Sequence, residues 1–126
     1  MEVGEISGAV KQLAKDEGIC VVLLSQLNRA SVGPDKRDKR PDLLALRDSG
    51  DLEADADVVA FIHRESYYIA QSPEYRANQA EAVQNFLDKQ FEAEIIVAKT
   101  RLGAPRTVQI WCDVACSTFA AQERHR

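Results

Sequence analysis

The chain has 126 residues, of which 45% are hydrophobic and 29% are charged, and its net charge is −4. This length and composition predict one folded domain or part of one, and they exclude a disordered tail. The acidic balance excludes a strongly basic surface but leaves room for local basic patches. No apolar run is long enough to span a membrane and the N-terminus lacks a signal-peptide pattern, so we expect no membrane association and a cytoplasmic location.

The N-terminal part of the chain predicts a helix and then a strand. Apolar residues recur at helical spacing from Val3 to Ala14 and Gly18 is a stop signal, so we expect a helix that packs along its apolar face. The next segment, Ile19–Ser25, is short, apolar and β-branched, without alternation. That pattern is typical of a strand covered on both sides in a parallel sheet.

Gln26 follows this predicted strand, and two interpretations of it are open. Ligands bind where strands of a parallel sheet end, and an amide can donate to a phosphate oxygen while accepting from a water. In that case Gln26 senses a terminal phosphate. Alternatively, Ser25 and Gln26 only terminate the strand.

The rest of the chain predicts a loop, a strand, a helical stretch and a hairpin. Residues 32–42 are dense in charge and turn formers, and Asp57–Arg64 has the pattern of a buried strand. The polar stretch 65–91 is a variable insertion with helical potential. Two strands follow, Ala93–Lys99 and Thr107–Asp113, close enough to pair as a hairpin. This order predicts an α/β fold with a mostly parallel sheet and a C-terminal β-hairpin.

Neither the cysteines nor the acidic residues predict a metal site. Three cysteines are an odd number, and no His or Asp set completes a site around Cys112 and Cys116, which favours a reducing compartment. Glu53, Asp55 and Asp57 have a spacing that suits metal ligands, but an exposed acidic turn before a strand explains them as well.

Three segments in order resemble the later motifs of the DnaB-type replicative DNA helicases: VVLLSQLNRA, LRDSGDLEADADVVAFIHR and AEIIVAKTRLG. The resemblance covers about residues 2–108, is weakest across 66–91 and fades after Trp111. It implies that the chain is the C-terminal half of a RecA-like motor domain. In that family the domain assembles into homo-hexameric rings and moves along single-stranded DNA using ATP.

The resemblance also implies roles for individual residues. Gln26 matches the family's glutamine that links the γ-phosphate to the DNA-binding loop. Residues 33–57 match that DNA-binding loop region. The residues that match contacts to the DNA backbone are Arg47, Asp48 and Gly50. An arginine neutralises phosphate and a glycine lets the backbone N–H approach closely. The alternative for Arg47 is a solvated arginine at a helix end.

Lys99 and Arg101 match the family's arginine-finger segment, within the hairpin 93–112. Residues two apart on an extended strand point to the same face, so both cations can reach one triphosphate. In a ring they would serve the nucleotide of the neighbouring subunit and stabilise the charge of phosphoryl transfer. A charged hairpin edge that blocks unwanted strand pairing is the structural alternative.

The sequence contains no phosphate-cradling GxxxxGK[ST] loop and no strand that ends in an aspartate for Mg²⁺. We therefore expect the intact parent to use ATP and Mg²⁺, and this chain alone to bind neither tightly and to be inactive. The resemblance implies single-stranded DNA and neighbouring helicase subunits as partners. Two alternatives remain: a non-catalytic RecA-like remnant that binds DNA or a helicase, and another RecA-like ATPase, which the LRDSG segment disfavours.

Overall fold

A computed structural model describes residues 3–27 and 39–122, except for the side chains of residues 47–50. The helices are α1 (Val3–Glu17), a 3-10 helix (Leu43–Ser49), α2 (Gly50–Asp55), α3 (Glu65–Ile69), α4 (Pro73–Arg76) and α5 (Ala80–Lys89). The strands are β1 (Val58–His63), β2 (Glu92–Thr100), β3 (Arg106–Asp113) and β4 (Thr118–Ala121). The chain divides into two compact units, Met1–Val59 with Ala98–Ala104, and Ala60–Val97 with Pro105–Arg126.

Helix α1 forms as predicted, but a different face of it is packed. It ends before Gly18, whose φ of +61° suits a glycine. The apolar stripe is 47%, 40% and 50% exposed at Val3, Ile6 and Leu13. Against α2, an added Cβ at Gly4 would overlap the Asp51 carboxylate, and Ser7 Oγ donates to Asp55 Oδ2 at 2.5 Å. The expected apolar packing is therefore wrong, because α2 approaches the small and polar face of α1.

The segment Ile19–Ser25 forms no strand, so this prediction is also wrong. Val22 is 80% exposed and Leu24 is 89% exposed. A buried strand needs hydrogen-bonding neighbours and cover on both faces. Among the described residues, no strand pairs with this segment, so its apolar side chains meet solvent.

Four strands form one sheet in the order β1-β2-β3-β4. Strand β2 pairs antiparallel with β3, with Glu92 opposite Trp111 and Val97 opposite Arg106. Strand β3 pairs antiparallel with β4, which the sequence had not predicted. The predicted hairpin and the α/β class are confirmed. The mostly parallel sheet is not, because the pairs β2·β3 and β3·β4 are antiparallel: short turns join them, and a parallel pair needs a long crossover.

Strand β1 is confirmed, although only one of its faces is covered. Val59, Phe61 and His63 are buried, whereas Val58 and Ile62 are 57% and 63% exposed. Such alternation is typical of a strand with one solvated face rather than one enclosed on both sides.

The stretch 65–91 folds into three short helices within the second unit. Pro73 occupies the first turn of α4, and Ser72 Oγ accepts a hydrogen bond from the Tyr75 N–H at 3.3 Å. The Tyr75 ring packs on Phe86 of α5, with centroids 5.0 Å apart. Buried apolar residues of this unit include Ile69, Ala93 and Cys112.

Candidate functional site

The end of β2 and the turn after it present the two predicted cations, both in the first unit. Lys99 Nζ donates to the carbonyl oxygen of Glu53. Arg101 Nη2 donates to the carbonyl oxygen of Ala54 at 3.1 Å. The two side chains thus reach adjacent carbonyls at the C-terminal end of α2, where the helix dipole favours positive charge.

Asp57 also pairs with the Arg101 guanidinium. Its Oδ1 lies 3.2 Å from Arg101 Nε and 2.6 Å from Lys11 Nζ. The backbone N–H of Arg101 also donates to the Asp57 carbonyl oxygen at 3.0 Å. The hydrogen bond from Lys11 lowers the pKa of the Asp57 carboxyl below its ordinary value, and the charges of Lys11, Arg101 and Lys15 add to this effect. Asp57 is therefore ionised at neutral pH.

Sequence reasoning did not find this role of Asp57 or any role of Lys11. The sequence pattern of Glu53, Asp55 and Asp57 fits an exposed acidic turn, and Lys11 belongs to no motif. One signal does exist, because Gly4, Ser7 and Lys11 fall on one helical face at spacings of three and four residues. A small and polar face on an otherwise amphipathic helix indicates a close polar neighbour.

Gln26, the predicted phosphate sensor, lies in the same unit and is exposed. Ser25 Oγ donates to its backbone carbonyl at 3.3 Å. Its side chain makes no hydrogen bond within the described part of the chain. The structure therefore brings Lys99 and Arg101 together at one helix end, but no described contact joins Gln26 to them.

Within the predicted DNA-binding loop region 33–57, Asp42 forms a turn just before the 3-10 helix. Asp42 Oδ1 accepts from the Leu44 N–H at 3.0 Å, and the Asp42 carbonyl accepts from the Ala45 N–H at 2.9 Å. Buried side chains of Ala45 and Leu46 anchor the 3-10 helix. Its last turn contains the backbone of Arg47 and Asp48, and α2 begins at Gly50.

Residues 33–38 of the predicted loop region 33–57 lie outside the described residues. Within residues 3–27 and 39–122, no three His, Cys, Asp or Glu side chains form a group that could hold a metal ion. The buried His63 at the end of β1 lies 3.0 Å from Glu65 Oε2 through its Nε2, and its ring stacks on Tyr68. Every helix in the described ranges is too short or too polar to cross a bilayer.

Solved structures with this fold define its class as part of a RecA-like domain. One of them, described as an ATPase domain, matches with a TM-score of 0.75 and 32% identity, over 96% of this chain and 37% of that one. A DnaB-like replicative helicase, solved with its interactions with primase, matches with a TM-score of 0.75 and 32% identity, over 95% of this chain and 25% of that one.

The sequence profile of the family "DnaB-like helicase C terminal domain" matches residues 1–121, and the chain belongs to this family. The replicative DNA helicase DnaB of Rickettsia bellii is 41% identical over 128 residues, covering 97% of this chain and 25% of the relative. The resemblance seen in the three sequence motifs is thereby confirmed. The chain spans about a quarter of the length of the curated relatives that it matches.

Proposed function

We propose that the chain is part of the motor of a replicative DNA helicase that unwinds duplex DNA by hydrolysing ATP. In this motor Gln26 senses the γ-phosphate. The residues that contact single-stranded DNA are Arg47, Asp48 and Gly50. Lys99 and Arg101 act in trans on the nucleotide of a neighbouring subunit. Membership of the family and the structural matches to an ATPase domain and to a DnaB-like replicative helicase support the motor assignment.

The observation that carries the proposal is that the Arg101 guanidinium is bound on one edge and exposed on the other. Its side chain is 49% exposed although Asp57 and the Ala54 carbonyl engage its Nε and Nη2 groups. Its Nη1 group has no hydrogen-bond partner in the described part of the chain. A guanidinium fixed at one edge and open at the other suits recognition of a phosphate, because the open edge can donate two parallel hydrogen bonds.

The described donors suit the phosphate part of ATP but not a complete nucleotide site. Two cations and an amide are groups that bind phosphate oxygens. Bound ATP would supply the phosphoryl group whose transfer drives the motor. In our proposal the cradle and the Mg²⁺ ligands come from other parts of the intact motor. The isolated chain then binds ATP weakly and does not hydrolyse it.

The same assignment proposes single-stranded DNA and neighbouring helicase subunits, arranged as a homo-hexamer, as partners. The solved DnaB-like helicase with 32% identity is described with its interactions with primase. A primase is therefore a further candidate partner of the intact protein.

A second candidate function is a non-catalytic module that binds DNA or joins a helicase ring. The exposed apolar residues Val22 and Leu24 favour it, because an open apolar surface of this kind is commonly an interaction site. The contacts of Lys99 and Arg101 also fit a purely structural role, since cations at a helix C-terminus stabilise the helix.

A segment exchange tests the finger against the structural role. Residues 1–126 replace the matching segment of the Rickettsia bellii helicase, and Arg101→Ala and Lys99→Ala are made in the exchanged protein. We expect Arg101→Ala to lower ATP turnover about 10³-fold or more while nucleotide binding and Tm are kept, because a finger acts on the transition state. Arg106→Ala, an exposed arginine on β3, is the control. Normal turnover with a lower Tm would establish the structural role instead.

A further inference from the structure

Asp57 is shared between two cations that come from different elements of the first unit. Lys11 of α1 lies 2.6 Å from Asp57 Oδ1, and Arg101 Nε lies 3.2 Å from the same oxygen. The Arg101 N–H also donates to the Asp57 carbonyl at 3.0 Å. Asp57 thus binds Arg101 twice: its backbone carbonyl accepts from the Arg101 N–H, and its carboxylate pairs with the Arg101 guanidinium.

Arg101 uses one edge of its guanidinium for an ion pair with Asp57 and for a hydrogen bond that it donates to the Ala54 carbonyl. Nε and one N–H of Nη2 form that edge, and they meet Asp57 Oδ1 and the Ala54 carbonyl. A guanidinium has five N–H donors in a rigid plane. When the two donors of one edge are held, the directions of the remaining three donors are also set. An arginine held in this way loses less side-chain entropy when its open edge meets a ligand.

Because of Lys11, the group of Lys11, Asp57 and Arg101 keeps a net positive charge that attracts anions. A carboxylate paired with Arg101 alone would cancel the charge of the guanidinium. Lys11 adds a second positive charge at the same carboxylate, and its side chain is only 19% exposed. The group of Lys11, Asp57 and Arg101 therefore carries a net charge of about +1, since one anion is shared by two cations.

We infer that Asp57 is the positioning residue of Arg101: it holds the Nε edge of the guanidinium so that the Nη1 edge is presented to a phosphate. This inference rests on the proposed finger role of Arg101 and adds the residue that orients it. Lys11, which lies on α1, pairs with Asp57 in turn. The orientation of the Arg101 guanidinium therefore also depends on how α1 packs on α2.

The full 126-residue chain provides a direct test through ¹⁵N NMR of the Arg101 Nε–H group, assigned with Arg101→Lys. In the wild-type chain we expect an immobilised Nε–H that exchanges slowly with solvent. Asp57→Asn should accelerate this exchange about two- to fivefold, the range that an exposed ion pair supports. Asp57→Glu should restore part of the protection. Asp88→Asn, an exposed aspartate of α5, is the control and should change nothing.

A pH titration of the wild-type chain keeps the test valid if Asp57→Asn does not fold. The charged groups that act on the Asp57 carboxyl are Lys11, Lys15 and Arg101. Because the pKa of Asp57 is lowered, its pairing is present above the ordinary aspartate range and is lost as the pH falls through the folded-state pKa. The Arg101 Nε signal should shift in that acidic range.

An Nε signal that does not respond to pH, or that Asp57→Asn leaves unchanged in a folded chain, would overturn the inference. Failure of the finger role has a different signature. In that case Arg101→Ala would turn over ATP normally in the exchanged helicase, while the Nε signal would still depend on Asp57.

Discussion

At the scale of single residues, the cations at the C-terminal end of α2 are held by backbone carbonyls and by one shared carboxylate. Lys99 and Arg101 complement adjacent carbonyls of one helix end, and Asp57 binds Arg101 and Lys11 together. From the sequence we predicted that the two cations share a face, because residues two apart on a strand do so. The aspartate could not be predicted, since Lys11 and Asp57 are 46 residues apart and only the fold joins them.

Arg47 offers a test of the DNA-binding proposal at the same scale. In the exchanged helicase, Arg47→Ala should weaken single-strand binding similarly for all sequences, because a phosphate contact carries no base information. The slope of log K against log salt concentration should become shallower by about 0.7, the value for one lost contact to a single strand. Fluorescence anisotropy at several salt concentrations measures this slope.

The control for Arg47 is Arg76→Ala, an exposed arginine in the last turn of α4. It should leave both the affinity and the slope unchanged. If Arg47→Ala weakens binding without changing the salt slope, Arg47 does not neutralise a DNA phosphate.

At the scale of elements, local signals predicted helices and strands better than the faces they bury. Gly18 ends α1 and Pro73 starts α4 because both act through local backbone geometry. The hairpin of β2 and β3 followed from two apolar runs and a short turn. The packed face of α1 depends on where α2 lies, and periodicity alone pointed to the apolar stripe.

Two glycines of α1 test which face of the helix is packed. At Gly8 no atom lies within 4 Å of an added Cβ, so Gly8→Ala should raise the free energy of unfolding by about 0.5–1 kcal/mol through helix propensity. At Gly4 the added Cβ would overlap the Asp51 carboxylate, so Gly4→Ala should lose most or all of that gain. Urea denaturation of the two variants gives the difference. Equal gains would show that the Asp51 side chain does not restrict this face of α1.

At the scale of the whole molecule, the sequence established the family, and the family established the class of fold. The assignment to the family depended on three short motifs, which occur in the same order along this chain as in the family. The state of Ile19–Ser25 did not follow from the same reasoning. A run of apolar β-branched residues predicts a buried strand only where partner strands cover it. In the described chain those residues are exposed.

Two substitutions test whether the segment Ile19–Ser25 is exposed or buried: one lies in this segment and the other at a buried position of β1. In the 126-residue chain, Val22→Asp should change the free energy of unfolding by no more than about 0.5 kcal/mol, because Val22 is 80% exposed. Val59→Asp places a carboxylate at a 9% exposed position and should cost about 3 kcal/mol or more. Chemical denaturation followed by circular dichroism compares them. A large cost at Val22 would mean that the segment is buried in the folded chain.

The most direct test of the central claim is a subunit-mixing measurement on the exchanged helicase. One subunit carries Arg101→Ala and keeps its phosphate cradle, and the other has an inactivated cradle and keeps Arg101. If Arg101 serves the nucleotide of a neighbour, each protein alone is inactive, and mixed rings regain ATP turnover at interfaces that combine an intact cradle with an intact Arg101. If mixed rings form and no turnover returns, Arg101 does not act across subunits and the account is contradicted.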